Sequence, residues 1–138
     1  PVAWLRGSVW GGLFYEFYDS RGTEYQYDGY GVRAGFRSAL PAQLTLYGWA
    51  GYTYRPYRHA STYPDPDDAN IANRQQYGLS GSDRIDHVAE VEVELERRLT
   101  DSLSASIRYA YLWNSSNVAV YDYDQNVVGA YLTWVWSR

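Results

Sequence analysis

The chain has 138 residues, a formal net charge of −4 and no cysteine. One domain fits that length, and a disulfide framework or a thiolate metal site is excluded. No basic cluster offers a surface for nucleic acid, and the longest nearly uninterrupted apolar stretch, Val127 to Trp136, falls well short of the ~20 residues a spanning helix needs.

Aromatic content is high but uneven, with 16 Tyr and 6 Trp against 3 Phe. Tyr and Trp are the two aromatics that suit a boundary between apolar and wet surroundings. The chain opens Pro1-Val2-Ala3-Trp4, already near a strand pattern and without an initiator Met or a signal peptide. We expect a processed mature chain or a C-terminal portion of something longer.

Six strands are expected in chain order. Residues 5–18 place Leu5, Val9, Leu13, Tyr15 and Phe17 on one face, with Arg6, Trp10, Phe14 and Glu16 on the other. After a turn at 19–23, residues 25–37 alternate Tyr30, Val32, Ala34 and Phe36 with Tyr27, Arg33, Arg37 and three glycines. Those glycines leave room for long or aromatic neighbours. A short connection at 39–42 leads to the third strand, 44–55, with Leu44, Leu46, Ala50, Tyr52 and Tyr54 opposed to Tyr47, Trp49 and Arg55. Residues 56–83, holding three of the five prolines, read as a long surface loop.

The clearest pattern follows. In the fourth strand, 85–97, Glu90, Glu92, Glu94 and Glu96 share one face, and Val91, Val93 and Leu95 share the other. The fifth, 103–113, sets Leu103, Ala105, Ile107, Tyr109, Tyr111 and Trp113 against Ser104, Ser106, Arg108 and Ala110. Pairing these two about the RRLTD turn puts Val93 opposite Ile107 and Glu92 opposite Arg108. After a medium loop, 114–124, the sixth strand, 126–136, closes on Val128, Ala130, Leu132, Trp134 and Trp136. No helical period or internal repeat is visible.

Short connections follow strands two and four, and longer ones follow strands one, three and five. Strands of about a dozen residues with one short-turn end and one long-loop end are the pattern of an up-and-down antiparallel outer-membrane β-barrel. On that reading the apolar face meets lipid, the Glu/Arg face meets a polar lumen, and the termini are periplasmic. Tyr52, Tyr54, Tyr109, Tyr111 and Trp113 form the outer aromatic girdle, and Trp134 and Trp136 mark the inner one. Six strands are fewer than the about eight with which single-chain bacterial barrels begin. Either further strands precede Pro1, or copies or a partner subunit close the barrel edge to edge.

The segment LTDSLSASIRYAYLWNSSNVAVYDYDQNVVGAYLTWVW, Leu99 to Trp136, resembles the C-terminal hairpins of Gram-negative outer-membrane β-barrels, among them porin-like barrels and the barrel halves of export proteins. Its end, with Gly129, Tyr131, Leu132, Trp134 and Trp136, resembles the signal read by the barrel-assembly machinery, although Ser137 and Arg138 follow where the family stops on the aromatic. The resemblance implies an outer-membrane location and partners in lipid, lipopolysaccharide and that machinery. It names no substrate.

The expected lumen charges are Arg6, Glu16, Arg33, Arg37, Arg55, Glu90, Glu92, Glu94, Glu96 and Arg108, five of each sign. They either set ion selectivity or pair across strands and fill the interior. Trp10, Phe14, Tyr27, Tyr47, Trp49 and Tyr131 also point inward, as a stacking track for sugars or as interior packing. His59, Ser61, Asp65, Asp67 and Asp68 in the long loop suggest a metal or hydrolytic centre only weakly. His87 is the sole other histidine, and no nucleophile motif is present. The runs at 65–68 and 122–124 lack the spacing of a calcium loop. We therefore expect a non-enzymatic pore or export conduit without a cofactor, with a non-conducting anchor barrel and a soluble β-barrel carrier as the alternatives.

Overall fold

A computed structural model describes residues 6–21, 25–60 and 83–136. Six strands follow one another: β1 (Arg6–Tyr18), β2 (Tyr27–Leu40), β3 (Leu44–Ala60), β4 (Asp83–Arg98), β5 (Leu103–Ser116) and β6 (Tyr123–Trp134). A 3-10 turn, Ala119–Tyr121, interrupts the last connection. The strands form one all-antiparallel sheet whose spatial order is the chain order. It is an up-and-down meander with open edges at β1 and β6, so it is a curved sheet and not a closed barrel among the described residues.

All six expected strands are present, but several ends differ. The main correction is at β3, which runs through Pro56 to Ala60, where a loop was expected from Pro56 onward. The proline sits opposite Ile85, where the register shifts before Ala60 meets Asp83. An irregularity of this kind is where a strand tolerates a residue that cannot donate to the ladder. Beyond it, Tyr57 still pairs with Tyr27, and the Arg58 amide donates to the Gln26 carbonyl at 2.9 Å. The strand β5 likewise runs three residues further than expected, and β6 ends at Trp134, two residues short of Trp136.

The β4–β5 register also differs from the sequence expectation. Val93 lies opposite Tyr109, not Ile107, and Arg108 lies opposite Glu94, not Glu92. The cause is the turn. Both the Leu99 and Thr100 amides donate to the Leu103 carbonyl, at 2.9 and 3.0 Å, and the Thr100 hydroxyl accepts from the Leu103 amide at 3.0 Å. This centres the hairpin one residue later than the symmetric guess. The slip is two residues along the partner strand, so every side chain keeps its face.

The register therefore sorts the strands into two faces with very different exposure. On the apolar face Val9 is 85% exposed, Leu13 87%, Ile107 63%, Val128 74% and Leu132 76%. Of the buried strand side chains, Thr53, Tyr57, Arg84, Asp86, Val88, Ser106 and Asn114 lie on the polar face, and Ser38 alone lies on the apolar one. Polar-face side chains also reach over an intervening strand. Arg55 on β3 meets Glu16 on β1 at 2.6 Å, and Arg33 on β2 approaches Glu90 on β4 at 4.0 Å. Side chains converge on the inside of a curved sheet and splay on its outside, so the polar face is the concave one.

Candidate functional site

The concave face is built from a size alternation between β1 and β2. Trp10 lies opposite Gly35, Phe14 opposite Gly31 and Glu16 opposite Gly29. Each large side chain lies over the glycine opposite it. A Cβ on Gly35 would sit 2.5 Å from Trp10 Cζ2 and 2.8 Å from the Gly48 carbonyl oxygen, while one on Gly31 would fall within the Phe14 ring's space. The glycines thus make room for aromatics, as their spacing suggested. Gly31→Val is expected to lower folded stability by about 1–3 kcal/mol, the usual cost of overpacking. Urea unfolding checks it: Phe14→Ala in the same chain should recover part of the loss, and strict additivity of the two changes would show that the ring and the glycine are independent.

The register places all ten expected lumen charges on this concave face, within a framework of arginine–aromatic stacks. The Arg33 guanidinium lies 5.0 Å from the Phe14 ring centre and 4.8 Å from that of Trp49. Arg37 lies over Tyr47, Arg55 over Tyr27 and Arg108 over Tyr131. Such stacks contribute ~0.5–1 kcal/mol each where water reaches them. All six inward aromatics expected from the sequence are thus placed, five as partners of guanidinium groups and Trp10 over Gly35.

The charges are segregated. Strands β1 to β3 carry Arg6, Arg33, Arg37 and Arg55 against Glu16, while β4 carries the four glutamates and β5 only Arg108. Arg108 bridges two of them, with Glu94 at 2.8 Å and Glu92 at 3.6 Å. Glu96 accepts from the Tyr47 hydroxyl at 3.3 Å. These ion pairs are half open to solvent and contribute at most ~1 kcal/mol each. The β4 stripe therefore keeps excess negative charge along one side of the concavity.

One part of this face was not foreseen from the sequence. At the long-loop end, Arg84 is only 7% exposed and Asp86 1%. Their side chains form a two-point ion pair, and the guanidinium lies 4.1 Å from the Tyr57 ring centre and 3.4 Å from that of Tyr121. Tyr121 belongs to the 3-10 turn, whose carbonyl at that residue accepts from Asn114 Nδ2 at 2.6 Å. The β5–β6 connection is thereby folded down against the mouth of the concavity. Asp122 accepts from the Ser116 amide at 2.5 Å and so closes this turn. The period-two run Arg84-Ile85-Asp86 held the only signal, since Arg84 and Asp86 continue the polar face beyond Val88.

The convex face is ordered along its length. Charged strand residues occur there only near the ends, with Asp28, Arg58, Asp83 and Asp124 toward the longer connections and Arg97 toward the tight turns. The titratable His87 lies at the long-loop end, and its Nδ1 is 2.5 Å from the Tyr52 hydroxyl. Tyr54 packs at a tilt against the same ring, centres 5.4 Å apart, and Tyr109 donates to Asn126 Oδ1 at 2.6 Å. Tyr111 and Trp113 share this face, while Trp134 and Trp136 lie at the opposite end, 6.2 Å apart. On β4 the stretch between His87 and Arg97 spans residues 88–96, nine residues, close to the about 9–11 residues of a membrane-crossing strand.

Of the weaker candidates, His59 is exposed within β3, and Ser61, Asp65, Asp67 and Asp68 lie outside the described residues. Among the described residues no three His, Asp or Glu side chains converge as a metal-binding group. Comparison with protein families, curated proteins and solved structures finds no match for this chain.

Proposed function

We propose that the chain is part of a Gram-negative outer-membrane β-barrel that serves as a pore or export conduit, with its convex face in lipid and its concave face lining a polar lumen. One observation carries the reading. The convex face exposes large aliphatic side chains with no charge between its two aromatic ends, while the opposite face holds all the lumen charges. In water an exposed apolar patch of that extent is a liability. In a bilayer it is what a spanning strand requires. A soluble carrier would need the aliphatic face inside, which the exposures argue against.

The open edges of β1 and β6 carry unpaired backbone groups that cost several kcal/mol each in lipid. On this reading further strands of the native polypeptide, or a second copy, cover them. The intact mass of the polypeptide from outer membranes separates the two, since a mass well above 15.9 kDa means further strands in the same chain.

Conductance in planar bilayers tests the function. Ion steps whose cation preference rises when Arg108→Ala frees Glu92 and Glu94 are the expected result. A native protein that inserts yet never conducts would leave the anchor reading.

A further inference from the structure

The convex face is not uniformly filled. Near the tight turns lies an open, largely apolar groove of about 600 Å³, within the size range of sites that hold small ligands. It forms where small residues, Ala105 and Ala130, stand on the apolar face. Ala105 on β5 lies opposite Arg97 on β4 and opposite Leu132 on β6, so its methyl leaves a trough between two longer side chains. Leu95 and Ile107 bound the trough toward the middle of the sheet. Arg97 stands at the end facing the tight turns.

Three strand arginines, Arg6, Arg37 and Arg97, have no ion pair among the described residues, and of these only Arg97 stands on the apolar face. Arg33, Arg55, Arg58, Arg84 and Arg108 each meet a carboxylate, and so does its neighbour Arg98, which donates to Asp101 at 2.9 Å. Arg97 points from the apolar face on the row of Ala105 and Leu132. The trough thus offers an apolar bed for a chain and a cation at one end.

We infer that this groove is a binding site for a phospholipid with an anionic headgroup, drawn from the leaflet at the tight-turn end. The acyl chain lies along Ala105 between Leu95 and Leu132, and the headgroup phosphate meets the Arg97 guanidinium. The inference rests on the membrane reading above and gives it a specific lipid partner. Charge complementarity selects the occupant. A neutral apolar ligand would not use a cation at the groove's end, and an isolated guanidinium at a bilayer boundary has an anionic phosphate as its nearest natural partner.

The test uses the native polypeptide in bilayers of phosphatidylcholine with a minority of phosphatidylglycerol. Flotation with the vesicles is scored first, and the lipids retained after gentle detergent extraction are then identified by native mass spectrometry. The wild type should retain phosphatidylglycerol over phosphatidylcholine by about fivefold beyond its share of the bilayer, the worth of one basic side chain at an anionic surface. Arg97→Gln should abolish that preference and keep a retained lipid. Ala105→Leu, which fills the trough, should lose retention of both lipids. Arg98→Gln should change neither.

A wild type that floats without enriching phosphatidylglycerol overturns the lipid site and leaves the membrane reading standing. Enrichment that survives Arg97→Gln overturns it as well. A protein that never floats overturns the membrane reading itself.

Discussion

Val93→Arg and Ile107→Arg should each block stable insertion into bilayers, while Glu92→Gln should not. Ile107 is 63% exposed and Val93 39%. If the convex face met water, an arginine at such a site would change stability by about ±0.5 kcal/mol, as surface substitutions do. If it meets lipid, a guanidinium near the mid-plane of a barrel costs about 2–4 kcal/mol. Val93 and Ile107 belong to that middle region, because the charged or titratable groups His87 and Arg97 on β4 lie on either side of Val93. Glu92→Gln removes only the longer of two contacts to Arg108, at 3.6 Å, and leaves the 2.8 Å contact to Glu94. The readout is the folded fraction after refolding into vesicles, scored by heat-modifiable gel mobility. Equal tolerance of all three variants would reverse the assignment of faces.

The two faces were legible in the sequence because a strand has a period of two and the code is binary. Glu90 to Glu96 alternating with Val91 to Leu95 admits one sorting, and it survives a two-residue slip of register. The register itself was not legible. It depends on how Thr100 satisfies the turn amides, which is a matter of one hydroxyl and two carbonyl contacts. The strand end at Pro56 misled for a related reason. Proline is a breaker in a regular ladder, yet here it falls where the ladder is already irregular, so β3 continues. The glycine–aromatic pairing was half visible: the glycines announced space, but only the antiparallel register says that Trp10, Phe14 and Glu16 fill it.

The buried pair at the mouth was the least legible feature, since it joins β3, β4 and the β5–β6 connection, and no local pattern links Tyr57 to Tyr121. It is also where a single substitution should cost most. Asp86→Ala should destabilise the folded protein by about 3–5 kcal/mol, because it leaves a guanidinium without its counter-charge in a site closed to water. The stacks on Tyr57 and Tyr121 do not offset this, because both already exist beside Asp86 in the native protein. Replacing both partners, Arg84→Met with Asp86→Leu, should recover most of the loss, since an apolar pair of similar size carries no desolvation cost. Denaturant midpoints of the three variants decide it, and an Asp86→Ala protein within about 1 kcal/mol of the wild type would mean that water reaches the pair after all. The same site separates the two functional readings. Tyr121→Ala removes the ring that holds the 3-10 turn against Arg84 and should free the connection from the mouth. If that turn narrows a conducting lumen, unit conductance should rise in planar bilayers. If the lumen is filled along its length by the arginine–aromatic stacks below, the variant should stay silent, and the barrel is an anchor.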